Sequence, residues 1–237
     1  MVPAIGDVWQ KCSQIPSPHD GISFENVRDL HQTASSVKNG VIVEIGSWLG
    51  RGTMALAASA AANGNRVYAI DPWLGTFSDG LECISGVDLF GQWRAHMEKS
   101  GVAGAVTPLM GASSWVRQKW DGGEIDFLFI DGMHNYHDTS ITLQEADIEK
   151  YLLNGWRING VYHQARAMMG VVTPPFGAKV DHDLWSPLVK PGGYIGFHDV
   201  SAWPDVTRVW EEEIVARPNM WEVVSLEKIL GIARRKP

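Results

Sequence analysis

Four places in this chain put reactive or ligand-shaped groups where an apolar run stops. The first is Glu44-Ile45-Gly46-Ser47, which continues through Gly50, Gly52 and Thr53. The second is Asp71, at the end of Val67-Tyr68-Ala69-Ile70. The third is Asp131-Gly132-Met133-His134, and the fourth is His198-Asp199. Glycines let a backbone approach a ligand closely, and turn amides at the start of a helix attract a polar or anionic group. An acid ending a neighbouring strand can accept hydrogen bonds from both hydroxyls of a ribose. The last two segments hold carboxylates and imidazoles, which are costly to bury unpaired, so they are expected to converge on a ligand or a metal.

Elements that could position these groups are readable from apolar runs and turn residues. Strands are predicted at 41–45, 66–70, 105–110, 125–130 and 194–197. The run at 125–130 is almost wholly apolar, as a strand buried on both faces should be. Helices are predicted at 24–37, 52–62, 89–100, 113–120 and 205–215, and two closing runs, 221–226 and 229–233, read as an antiparallel hairpin. Alternating strands and helices imply an α/β, Rossmann-like domain. Its sheet should be mostly parallel and seven-stranded, with a terminal antiparallel hairpin and helices on both faces. Ligands of such sheets bind outside the carboxyl ends of the strands, and all four segments fall on that edge. Residues 1–22, rich in Pro, Ser, Gly and Asp, read as an arm. Residues 137–178 read as an insertion, serving as a lid over the site or as an oligomer contact. The whole of 1–237 is then one domain.

Composition narrows the function classes. The 237 residues are 45% hydrophobic, enough for a full core, and no apolar stretch reaches the length of a membrane span. The net charge of −7 opposes broad nucleic-acid binding, which needs a basic face. Only Cys12 and Cys83 are present, which argues against a disulfide scaffold and fits the cytoplasm. Of the eleven tryptophans, most should be core; Trp48 and Trp73 follow ligand-facing strand ends and are the pocket candidates.

The glycine spacing departs from G-x-G-x-x-G, so a nicotinamide oxidoreductase is the lesser reading, with a non-catalytic binding protein as a further alternative. Residues 44–53 instead resemble the first motif of class I S-adenosylmethionine (SAM) methyltransferases. Downstream, FIDGMHNY and DLWSPLVKPGGYIGFHDV are similar to the small-molecule O-methyltransferases of the macrocin and mycinose sugar type. That resemblance implies SAM as cofactor, held by Glu44, Gly46, Ser47, Gly50, Thr53, Asp71, Trp73 (over the adenine face), Gly111, Ala112, Ser113 and Asp131. It implies a hydroxylated small-molecule acceptor. It also implies a divalent cation, Mg²⁺ or Mn²⁺, on Asp131, His198 and Asp199. His134, beside Asp131, would then be the general base. The histidine at 198, where some relatives carry a second acid, softens the donor set.

Overall fold

The computed structural model describes residues 1–17, 21–73, 88–134 and 177–237. The insertion expected at 137–178 lies almost wholly outside them. Seven strands form one sheet: β1 (Val41–Ile45), β2 (Arg66–Asp71), β3 (Val106–Met110), β4 (Ile125–Ile130), β5 (Val189–Phe197), β6 (Trp221–Glu227) and β7 (Leu230–Arg235). Their order is β3-β2-β1-β4-β5-β7-β6. The first five are mutually parallel, and β7 runs antiparallel to both β5 and β6. Chain direction reverses its lateral progress between β1 and β4, which is where open α/β sheets open a crevice.

Alternation along the strands feeds two cores. Ile42, Val67, Ala69, Phe127 and Phe129 face one side, against α1 (Ile5–Cys12), α2 (Phe24–Ser36), α3 (Arg51–Ala57) and α5 (Leu89–Ser100). Val41, Val43, Ile45, Leu128, Ile130 and Phe197 face the other. There they meet α6 (Ser113–Gln118), α7 (Ala178–Trp185) and α8 (Pro204–Trp210). Every residue of β1 and β4 is buried, as central parallel strands covered on both faces must be.

Four expectations are corrected. Within the segment read as an arm, residues Ile5–Cys12 form a helix. Ile5, Val8, Cys12 and Ile15 recur at helical spacing; the last three are buried, and Ile5 packs against the same core. Arg51 then fastens the segment, donating to the carbonyls of Ile15 (3.0 Å from Nε) and Ile22 (3.1 Å from Nη1). The helix expected at 52–62 is split into α3 and α4 (Ala60–Asn63). β5 begins at Val189 and runs through the predicted Lys190–Gly193 turn, shifting register against β4. Gly193 permits this, because a Cβ there would meet the carbonyl oxygens of Asp126 and Ile125 at 3.0 and 3.1 Å. Finally, α8 does not continue as one α-helix to 215 but passes into a π-helical turn, Glu211–Val215.

Candidate active site

β1 ends in a turn whose shape is dictated from within the protein. Gly46 has φ +84°, and a Cβ on it would overlap the carbonyl of Asp131 at the end of β4. Gly50 has φ +97° and caps α3, with the ends of Trp93 and Met97 filling the space a side chain would need. These two glycines therefore answer close packing of the chain on itself. Asp71 holds the turn between them. Its Oδ2 accepts the amides of Ser47 (2.8 Å) and Trp48 (2.9 Å), and its Oδ1 accepts the amide of Trp73 (2.5 Å). Burial pushes the Asp71 carboxyl above its usual range, and the three amides oppose that shift.

Beneath the turn lies Glu44, 1% exposed. Its Oε2 accepts the hydroxyls of Ser47 (2.7 Å) and Thr53, and Thr53 in turn accepts the Trp93 indole N–H at 3.2 Å. Burial pushes the Glu44 carboxyl up to about 8, with the nearby charges of Asp131 and Asp71 adding to the effect. Glu44 and Thr53 thus shape the loop from below. Trp73 departs from expectation more sharply. Its ring is wholly buried, tilted against Phe90 and Trp93 with centroids 4.9 and 5.1 Å away, and its N–H donates to the Trp48 carbonyl (2.9 Å). It is a wall of the core and has no face free for an adenine. Trp48, by contrast, remains partly exposed on the turn.

At the end of β3, Gly111 donates its amide to the Asp71 carbonyl (3.1 Å), and Ala112 and Ser113 open α6. The Ser113 hydroxyl donates to Asp181 Oδ1, in the first turn of α7. Burial lifts Asp181 to about 7, and the Ser113 hydroxyl pulls against that. Asp181 was not singled out from the sequence.

The remaining groups meet at the ends of β4 and β5. One ligand atom each from Asp131, His134 and Asp199 lies within 4.8 Å of the others. His134 Nε2 is 2.8 Å from Asp199 Oδ2. His198 Nδ1 is 3.1 Å from both Asp131 Oδ1 and Asp199 Oδ2. These nitrogens are close to the oxygens yet not aligned with them for hydrogen bonding. Asp199 itself has φ +62°, a conformation few side chains adopt and one that collects at functional sites. The turn it begins, with Trp203 N donating to its carbonyl (3.0 Å), lays the Trp203 ring flat on His134, centroids 4.8 Å apart and planes 10° off parallel. Burial disfavours a charge on His198, but the two carboxylates outweigh it and hold the imidazole up to about 10. Asp199 is pushed up by burial, yet the two histidines beside it keep it well below the usual carboxylate range. The sequence reading placed His198 among the ligands and His134 apart as base. In the fold, His134 shares the cluster with the carboxylates, and His198 lies beneath them, 4% exposed.

Residues 43–152 match the family model described as a methyltransferase domain. No curated protein matches the chain. Among solved structures, the chain is similar to the O-methyltransferase TomG from Streptomyces achromogenes, involved in tomaymycin synthesis and solved with SAM. The identity is 16% and the TM-score 0.58, over 100% of this chain and 92% of that one. An O-methyltransferase from Bacillus cereus, in complex with S-adenosylhomocysteine (SAH), gives 17% identity and a TM-score of 0.56, over 100% and 93%. The O-methyltransferase NovP gives 15% and 0.52, over 91% and 81%. With β3-β2-β1-β4-β5-β7-β6 as its sheet order and a methyltransferase-domain match over 43–152, the chain has the Rossmann-like fold of the methyltransferases.

Proposed function

We propose that this protein is a SAM-dependent O-methyltransferase acting on a hydroxyl of a small molecule, a sugar or other natural product, with a divalent cation held by Asp131, His134 and Asp199. The observation that carries the reading is the placement of that cluster beside the Gly46–Gly50 turn, since Gly46 packs directly on Asp131. The donor set suits a cation. His134 Nε2 and Asp199 Oδ2, 2.8 Å apart but out of hydrogen-bond alignment, have the spacing of neighbouring ligands around an ion with bonds of about 2.1 Å. A mixed imidazole and carboxylate set favours Mn²⁺, Fe²⁺ or Zn²⁺ over Mg²⁺. Such an ion would hold the acceptor oxygen and lower its pKa.

SAM would supply the methyl group and leave as SAH. The Ser47–Trp48 turn would lie along its methionine and ribose. Asp71 Oδ2 is occupied by two amides, so only the second lone pair of Oδ1 is left for a ribose hydroxyl. His198, with Nδ1 3.1 Å from both Asp131 Oδ1 and Asp199 Oδ2, would back the two carboxylates from below.

A second reading has its own support. His134 Nε2 is 2.8 Å from Asp199 Oδ2 and its ring is stacked on Trp203, so a small turn of the imidazole would make it a general base with Asp199 as its orienting acid. His134 cannot serve as ligand and base at once, so the readings separate experimentally. Chelator-treated protein, given SAM and a panel of hydroxylated acceptors, should release no SAH and recover with Mn²⁺ or Mg²⁺. Asp199→Asn should abolish the recovery and leave SAM affinity within about threefold. Full turnover in excess chelator would remove the cation and leave His134 as base. Absence of SAM binding in calorimetry would overturn both readings.

A further inference from the structure

We propose that Trp203 is the positioning residue of His134: its indole holds the imidazole in the plane that aims Nε2 at a cation shared with Asp131 and Asp199. The inference rests on the cation reading above.

A ligating histidine usually donates its second ring nitrogen to a carboxylate or a carbonyl, and that bond fixes the tautomer and the ring plane. His134 lacks it. Its Nε2 lies 2.8 Å from Asp199 Oδ2, which leaves Nδ1 to take an orienting bond. Both ring nitrogens are buried, and among the described residues neither has a hydrogen-bond partner. The torsion that turns an imidazole is broad, so an unbonded ring needs another restraint. Here the restraint lies on its face. The Trp203 ring covers it, with centroids 4.8 Å apart and planes 10° off parallel. A stack of this kind restrains the plane and leaves both nitrogens free at the edge of the ring.

The plate is itself held. Trp203 N donates to the Asp199 carbonyl (3.0 Å), and its own carbonyl accepts the amide (2.9 Å) and the hydroxyl (3.0 Å) of Thr207 in α8. Between them the turn is tied to the β6–β7 hairpin. Val200 N donates to the Ile229 carbonyl (2.9 Å), and the Ser201 hydroxyl donates to the Lys228 carbonyl (2.8 Å). Pro204, at the first position of α8, fixes the exit of the chain. One short turn thus carries a carboxylate of the cluster and the surface that orients its histidine. The indole face also suits the task, since its electrons attract a ring made electron-poor by a cation.

The test is Mn²⁺ binding to the metal-freed full chain, followed by the electron paramagnetic resonance of the free ion. Trp203→Leu removes the flat face and should weaken binding about tenfold. Trp203→Phe restores a flat face and should stay within about threefold of wild type. Trp203→Leu made in His134→Ala protein should cost less than about threefold, because the ring it orients is gone. Thermal melting checks folding, and Trp203→Met takes the place of Trp203→Leu if the latter does not fold. Wild-type Mn²⁺ affinity in the folded variant would overturn the assignment. So would a Trp203→Phe protein as weak as Trp203→Leu, or an equal loss with and without His134, which would mark Trp203 as a prop of the Asp199 turn. If wild type bound no Mn²⁺, the cation reading would fail and take this inference with it; Mn²⁺ binding indifferent to Trp203 would overturn this inference alone.

Discussion

Replacing Glu44 with glutamine should make the protein more stable in mild alkali. The carboxyl is moved from an ordinary 4.5 to about 8 by burial under the glycine turn. In the folded chain it keeps its proton across that window; in the unfolded chain it has lost it. The unfolded state therefore binds fewer protons there, and stability falls as pH rises. Glu44's contribution is fully present below about 4.5 and exhausted above about 8, and each pH unit between is worth about 1.4 kcal/mol. The full window is thus worth up to about 5 kcal/mol. A glutamine carbonyl can still accept the Ser47 and Thr53 hydroxyls, and its amide replaces the carboxyl O–H. Urea midpoints of wild type and Glu44→Gln, measured at pH 6 and pH 8, should show the advantage of the variant growing by about 3 kcal/mol. Asp181, lifted to about 7, contributes the same sign to both proteins and cancels in the difference. Parallel pH profiles for the two proteins would mean that Glu44 ionises normally, and the account of a neutral acid under the loop would be wrong.

Two other substitutions probe the same region. Asp71→Ala releases three amides from the turn, each charge-assisted bond being worth roughly 1.5–3 kcal/mol, and should weaken SAM binding at least tenfold in calorimetry. Affinity retained in that variant would show that the turn keeps its shape without the carboxylate. Gly46→Ala places a methyl against the Asp131 carbonyl at φ +84° and should cost about 3 kcal/mol or more in a denaturation midpoint; a loss under about 1 kcal/mol would mean that β1 and β4 can separate there.

What could be read from the sequence was whatever depends on local pattern. The five parallel strands are apolar runs ended by a polar residue or a turn, and the hairpin partners flank Lys228 and Ile229, one residue later than the Glu227-Lys228 break read from the sequence. Asp131, His134, His198 and Asp199 were found because each lies within four residues of a strand's end, and parallel strands deliver their carboxyl ends to one edge. The hidden parts depend on tertiary partners. Nothing in the sequence says that Asp71 spends its oxygens on backbone amides, because amides are common to every residue. Trp73 looked like a ligand's wall since it follows an acid; Phe90 and Trp93, on a later helix, close over it. Asp181 and Trp203 gain meaning only through Ser113 and His134, which other elements supply. The helix Ile5–Cys12 was legible in its Ile5, Val8, Cys12, Ile15 spacing, but the Pro and Ser content around it pointed to a loop.

The seat of Gly46 against Asp131 also bears on the order in which the molecule is assembled. A glycine turn after a first strand looks like a self-contained motif that could form as soon as its own residues exist. Here it is moulded between partners of very different arrival. Asp71 follows Ser47 by 24 residues, but the surface that Gly46 fits belongs to β4, much further along the chain. Contacts so distant in sequence carry a large loop-closure cost and tend to form late in folding. A nascent chain that had not yet produced β4 would carry every residue of the motif and lack the wall that gives it shape. Binding competence would then arrive in one step, when the fourth strand docks beside the first.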